Sequence, residues 1–130
     1  MTTQVKIRQK KVFVVDDNRF FLESLVFLLN RQEDIKVVGT HHRARGVLQK
    51  IKAVQPDVVI LDVQLPDGDG ISILREIKSQ LHIPVIMLTI YEENREQAIK
   101  NGAHAYLVKG GELDTLYQEI RQAAGEANKP

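Results

Sequence analysis

In Val58-Val59-Ile60-Leu61-Asp62-Val63-Gln64-Leu65-Pro66-Asp67-Gly68-Asp69-Gly70, four consecutive apolar residues run into a carboxylate and then into a segment punctuated by Pro and Gly. A strand with one wet face alternates apolar and polar residues, so an unbroken apolar run of this length predicts a strand covered on both faces. Three more runs have the same form. Residues 12–15 lead into Asp16, Asp17 and Asn18, residues 85–88 into Thr89, and residues 105–108 into Lys109. Residues 35–39 read as a further strand.

Between these runs, apolar residues recur at helical spacing. Phe21, Leu22, Leu25, Val26, Leu28 and Leu29 follow Asn18, a natural N-cap, while Val47, Leu48, Ile51 and Val54 precede Pro56, which closes that helix. Ile71, Ile73, Leu74 and Ile77 mark a third helix; Leu113, Leu116, Tyr117, Ile120 and Ala124 mark the last, ahead of a polar tail that starts at Gly125. Residues 92–101 predict a helix of another kind, almost wholly polar, with Ala98 and Ile99 left to face a core and Gly102 to end it. Such a helix is weakly anchored. Strands alternating with helices predict the α/β class, a single doubly wound five-stranded parallel sheet with five helices. Its predicted span is residues 11–124, after a lead-in at 1–10 that carries Lys6, Arg8, Lys10 and Lys11 and before a tail or linker at 125–130.

The composition agrees with one such domain and excludes several others. The 130 residues are 43% hydrophobic and 27% charged, with no apolar run long enough to span a bilayer. Eighteen Lys and Arg against 17 Asp and Glu leave a formal charge of +1, which gives no field that would favour nucleic acid or a membrane surface. The absence of cysteine excludes disulfides, thiolate metal sites and Cys catalysis and suits a reducing compartment. With no apolar signal region at the N-terminus, the expected location is cytoplasmic.

In an open parallel sheet, ligands bind beyond the carboxyl ends of the strands, so the residues just after each strand carry the chemistry. Those residues are Asp16, Asp17, Asp62, Thr89 and Lys109. Three carboxylates brought together repel one another, and a bound cation relieves the repulsion. Oxygen ligands of this kind suit Mg²⁺. A metal, a lysine and a hydroxyl around one carboxylate fit phosphoryl transfer, in which the protein positions the group and neutralises spread charge. Asp62 is then the nucleophile that forms an acyl phosphate, Lys109 pairs one phosphate oxygen and Thr89 donates a hydrogen bond to another.

Asp16-Asp17, Val59-Ile60-Leu61-Asp62 with Pro66 and Gly70 downstream, Leu88-Thr89, Gly102-Ala103 and Tyr106-Leu107-Val108-Lys109 together resemble the receiver domains of two-component response regulators. The intervals from Asp17 to Asp62, Thr89 and Lys109, which are 45, 27 and 20 residues in turn, make the joint match specific. The wording around Asp62 and Tyr106 resembles receivers of the NarL type. The resemblance implies a flavodoxin-like fold with strand order 2-1-3-4-5. It implies Mg²⁺, with Mn²⁺ as a substitute, held by Asp17 and Asp62 directly, by the backbone carbonyl of Gln64, and by Asp16 through water. It also implies phosphorylation of Asp62 by a sensor histidine kinase or phosphotransfer protein, and slow self-catalysed dephosphorylation rather than a conventional enzyme activity. Thr89 and Tyr106 would be the switch residues, remodelling the surface of helix four, strand five and helix five towards an output domain, a downstream protein or a homodimer.

Two positions depart from that pattern: Gly110 stands where a Pro commonly follows the Lys, and Ile90 is bulkier than the usual residue after the Thr. The first loosens the aim of Lys109, and the second crowds the phosphoryl site. The competing function is a degenerate receiver that binds partners without phosphorylation. Purely structural expectations stand beside the chemical ones. Thr89-Ile90-Tyr91-Glu92 fits a helix capping box, His41 and His42 read as ordinary surface, and Asp67-Gly68-Asp69-Gly70 reads as a Gly-rich turn, not a calcium loop.

Overall fold

The computed structural model describes residues 8–127. Five strands, β1 (Lys10–Val15), β2 (Ile35–His41), β3 (Val58–Leu61), β4 (Val85–Thr89) and β5 (Ala105–Val108), form one parallel sheet in the order β2-β1-β3-β4-β5. Five helices, α1 (Arg19–Asn30), α2 (Val47–Val54), α3 (Gly70–Gln80), α4 (Arg95–Lys100) and α5 (Leu113–Ala127), connect or follow them. No described helix is long and apolar enough to cross a membrane.

Alternation along the buried strands divides the core into two layers. Phe13, Val15, Val59, Leu61, Val85 and Met87 face one way and pack on Ile51, Leu74, Ile77 and Ala98 of α2, α3 and α4. Val12, Val14, Val58, Ile60, Ile86 and Leu88 face the other way, against Leu25 and Leu29 of α1 and Leu116 and Ile120 of α5. The central strands therefore had to be apolar throughout, because each face meets helices.

Four details differ from the sequence reading. The first is β2, which runs past Gly39 to His41; alternation turns the His41 side chain inward, where it is 8% exposed with Nε2 2.7 Å from the Arg45 carbonyl oxygen. His41 is thus a core residue, and only His42 lies on the surface. The second is α4, which starts at Arg95 rather than at 92. Thr89 ends β4, paired with Val108, and its Oγ1 accepts from the Tyr91 N–H at 3.4 Å instead of capping a helix. Only Ala98 of that helix is buried, and Ile99 is 49% exposed. Gly102 does end it, at φ +98, as the Ala103 N–H reaches back to the Ala98 carbonyl oxygen. Third, β1 begins at Lys10 inside the predicted lead-in; Lys6 lies outside the described residues. Fourth, α5 continues past Gly125 to Ala127.

One polar cluster ties α5 to the loop before β2. Arg121 Nε and a terminal nitrogen donate to the two oxygens of Asp34 at 2.7 and 3.0 Å, and Gln32 accepts a third bond at 3.0 Å. The Arg121 guanidinium holds the Asp34 carboxyl at about 2, below its ordinary value. A carboxylate depressed in the fold lends stability that is complete above its unfolded value, near pH 4, and is lost as the pH falls through about 2. Since the Arg121 side chain is 38% exposed, solvent screening cuts its share to about 1 kcal/mol. Urea unfolding of Arg121→Ala should show that loss near pH 7 and much less of it near pH 2; an equal loss at both would mean that packing, not charge, is what Arg121 supplies.

Candidate functional site

Parallel register sets the site. Val15 pairs with Leu61, so the residues following β1 and β3 leave the sheet side by side, and the Asp62 N–H donates to the Val15 carbonyl oxygen at 3.1 Å. Asp16 and Asp62 are buried, at 2% and 6% exposure, while Asp17 is exposed. Carboxylate oxygens of the three lie within 4.8 Å of one another. Lys109 starts from the end of β5, two strands from β3, and only a long side chain spans that gap of about 10 Å. Its Nζ lies 2.7 Å from Asp16 Oδ2 and 3.1 Å from Asp62 Oδ2.

The electrostatics follow from burial and pairing. Burial pushes the Asp16 carboxyl above its ordinary value, against the pull of hydrogen bonds from Lys109 and the Asn18 N–H. Burial works to lower Lys109, but hydrogen bonding to Asp16 and the charges of Asp62 and Asp16 outweigh it and hold the ammonium above its ordinary value. Three carboxylates against one ammonium leave the cluster formally anionic. It opens on a cleft of about 930 Å³ whose walls include Asp17, Asn18, Asp62, Gln64, Ile90 and Lys109. Hard oxygen donors, uncompensated negative charge and solvent access fit a divalent cation that keeps some of its waters.

The other residues singled out in the sequence stand around this centre. The Gln64 N–H lies 3.4 Å from Asp62 Oδ1, and Gln64 pairs with Asp69 in a two-residue antiparallel bridge. Thr89 is fully buried and is not among the cleft walls, although its carbonyl oxygen accepts from the Lys109 N–H at 2.7 Å. Tyr106 is also buried, 2% exposed, and its hydroxyl donates to the Tyr91 carbonyl oxygen. Ile90 is 64% exposed on the cleft wall. Gly110 has φ +92, a conformation that a proline ring cannot adopt, so the chain after Lys109 takes a path closed to the usual residue.

Sequence reading missed four contributors. Phe21, counted there only as part of the apolar stripe of α1, places its ring 4.3 Å from Lys109 Nζ. Arg95 lies over the Tyr106 ring at 5.1 Å, donates to the Tyr106 carbonyl oxygen at 2.8 Å and pairs with Glu92 at 2.9 Å. Asp67 is more than a turn residue: its two oxygens accept the Ala44 and Arg45 N–H groups at 2.6 and 3.0 Å, tying the loop after Asp62 to the loop after β2. His41, bonded to that same Arg45, extends the tie into β2. None of these carries a local signal, because each depends on where a distant segment arrives.

Comparison with known proteins agrees with this fold. Residues 12–121 match the family described as the response regulator receiver domain. The chain is 36% identical over 115 residues to the uncharacterized transcriptional regulatory protein YvfU of Bacillus subtilis, covering 86% of this chain and 58% of that protein. It is 38% identical over 116 residues to the DNA-binding transcriptional activator DevR/DosR of Mycobacterium tuberculosis, covering 85% and 54%. The chain thus spans little more than half of these relatives. Among solved structures, the receiver domain of the putative response regulator NarL from M. tuberculosis superposes with a TM-score of 0.84 at 27% identity, covering 91% of this chain and 98% of that one. The Thermotoga maritima CheB response regulator domain gives 0.84 at 29% identity, covering 95% and 100%. With the strand order, the acidic edge and a family match over residues 12–121 in agreement, the chain belongs to the response regulator receiver domains.

Proposed function

We propose that this receiver takes a phosphoryl group onto Asp62 and uses it to switch the surface formed by α4, β5 and α5 in two-component signalling. The observation that carries the reading is Lys109 Nζ bridging Asp16 and Asp62 inside a three-carboxylate cluster. A structural ion pair would need one carboxylate; three with a single ammonium leave charge for a cation to meet. Asp17 and Asp62, with the Gln64 backbone carbonyl and with Asp16 through water, would hold Mg²⁺ or Mn²⁺. Such a cation, when bound, neutralises charge on the transferring group.

The chain's own residues do the rest. A carboxylate oxygen of Asp62 attacks phosphorus, the bond from phosphorus to the donor breaks, and the donor leaves with its electron pair; the donor is a sensor histidine kinase or phosphotransfer protein. Lys109 then pairs a phosphate oxygen. Thr89, buried and outside the cleft walls, must move towards the site to donate to another, and because its Oγ1 accepts from the Tyr91 N–H and the Tyr106 hydroxyl holds the Tyr91 carbonyl, that movement would be felt at Tyr106 and at Arg95 stacked on it. Burial raises the Tyr106 hydroxyl above its ordinary value, so it stays a neutral donor throughout. The domain so described catalyses its own phosphorylation and slow dephosphorylation, and its partners are the kinase and an output domain, a downstream protein or a second copy, without direct contact to nucleic acid or membrane.

Intact mass after incubation with acetyl phosphate tests this. Wild type should gain one phosphoryl group in the presence of Mg²⁺ and none without it, and Asp62→Asn should gain none in either case. Wild type that stays unmodified, or Asp62→Asn that is modified equally, would overturn the assignment and leave a receiver that binds partners without phosphorylation.

A further inference from the structure

Lys109 presents a problem that the proposed chemistry makes acute. Its ammonium must be aimed at a phosphate oxygen, yet the chain after it is Gly110-Gly111, with Gly110 at φ +92, and no ring restrains the backbone there. A lysine side chain gives up much of its rotamer freedom when it is held in one arrangement. Nevertheless this side chain is only 12% exposed, and its nitrogen sits on two carboxylates.

We propose that Phe21 is a positioning residue for Lys109, its ring face fixing the direction from which the ammonium reaches Asp62. Lys109 Nζ lies 4.3 Å from the Phe21 ring centroid, well within the range in which the negative face of an aromatic ring attracts a cation. Phe21 is itself fixed by the acidic edge. Asp16 Oδ1 accepts the Asn18 N–H at 2.9 Å, and Asn18 Oδ1 accepts the Phe21 N–H at 3.0 Å. The Phe21 ring then meets Lys109, whose Nζ returns to Asp16 Oδ2 at 2.7 Å. These contacts form a closed circuit from Asp16 through the first turn of α1 to the lysine and back.

The circuit explains how the departure at Gly110 is tolerated. Where a proline would aim the lysine through its backbone, here the helix cap and the ring aim it through its tip. The ring also forms part of the wall of the cleft that Asp62 and Lys109 line, so one flank of the ammonium meets a ring face in place of water. A partly desolvated cation–π contact is strong enough for roughly a tenfold effect on a rate.

This inference rests on the phosphoryl chemistry proposed above, and two readouts separate them. The first is the rate of acetyl phosphate labelling at saturating Mg²⁺ in full-length wild type, Phe21→Leu and Phe21→Tyr. Leu should slow labelling about tenfold, and Tyr, which keeps the ring face, should recover to within about twofold of wild type. The second needs no phosphorylation: the Lys109 Cε proton resonances should be shifted upfield by the ring current in wild type and Phe21→Tyr, and should lose that shift in Phe21→Leu. Should Leu fail to fold, Phe21→Met supplies the same comparison with a more adaptable side chain. Wild-type labelling with a ring-current shift, but no slowing in Leu or Met, overturns the positioning role. Lys109 signals that are not shifted upfield in wild type overturn it whether or not labelling occurs. An upfield shift lost in Leu, in a protein that takes no phosphoryl group, sustains the placement of Lys109 by Phe21 and overturns only the chemistry.

Discussion

Replacing Gly70 by Ala should cost about 3 kcal/mol or more of folding stability and abolish phosphoryl uptake at Asp62. Gly70 opens α3, with its N–H donating to the Val63 carbonyl oxygen at 2.6 Å. A Cβ added there would fall on the Asp62 carbonyl oxygen and within 2.8 and 2.9 Å of the Val63 Cα and carbonyl oxygen. All three are backbone atoms, which cannot swing aside as the end of a flexible side chain does. Either the chain after β3 or the start of α3 must move, and both are anchored by fully buried neighbours, Leu61 on one side and Leu74 on the other. Overpacking of a core commonly costs about 1 to 3 kcal/mol, and a clash with backbone belongs at or above the top of that range. The better helix propensity of Ala returns about 1 kcal/mol at most, which does not reverse the sign. Guanidinium unfolding of the variant decides the matter; a midpoint matching wild type would mean that the turn after Asp62 yields easily, against the close packing described here.

The fold was legible because its central strands are buried on both faces, which leaves no polar residue within them to blur the signal. The predicted bounds of β3 and β5 coincide with the observed ones. The reading failed where tertiary position overrode a local pattern. Thr89-Ile90-Tyr91-Glu92 has the spacing of a capping box, but Thr89 is already committed to β4 through its pairing with Val108, so the helix cannot start there and α4 shrinks to six residues. At β2, Thr40 and His41 look like loop because they are polar, yet the edge strand continues by pairing with Val14 and Val15.

The acidic edge was legible for a related reason. In a parallel sheet all carboxyl ends lie on one edge, so residues that follow strands converge whatever the loops do, and Asp16, Asp17, Asp62 and Lys109 come together. What surrounds them was not legible, because it depends on the paths of loops and the directions of side chains. Phe21 and Leu25 have the same apolar character in a linear reading; only the reach of the Lys109 side chain from the end of β5 to the first turn of α1 decides that one meets a lysine and the other the core. Asp67 likewise looks like a turn former until the loop after β2 is seen to bring two amide N–H groups onto it.

Lys109→Met should destabilise the domain by about 3 kcal/mol near neutral pH, and Mg²⁺ should restore more stability to the variant than it adds to wild type. Met keeps the length and apolar stem of the lysine and can lie on the Phe21 ring, so packing changes little. What disappears is the ammonium, which leaves Asp16, Asp17 and Asp62 with carboxylate oxygens within 4.8 Å and, among the described residues, no other cation bonded to them. Two unit charges about 4 Å apart repel by about 4 kcal/mol at an effective dielectric constant of 20, so the folded state relieves the strain by taking up a proton. Asp16, already pushed up by burial, is the group placed to take it. A carboxyl raised in the fold binds protons more tightly there than in the unfolded chain, so stability falls as the pH climbs from the unfolded value, near 4, through the folded one. The loss in Lys109→Met should therefore be largest near pH 7 and shrink towards about pH 4, the same direction as the loss expected in Arg121→Ala but complete at a higher pH than the Asp34 carboxyl at about 2 allows there. A bound divalent cation would replace the missing charge, which is why its stabilising effect should grow in the variant. Phosphoryl uptake should still fall, because a cation among the carboxylates does not supply the donor that Lys109 offers to a phosphate oxygen. Chemical unfolding of both proteins with and without Mg²⁺ at several pH values reads all of this together, and a loss independent of both pH and Mg²⁺ would show that Lys109 acts through packing and not through its charge.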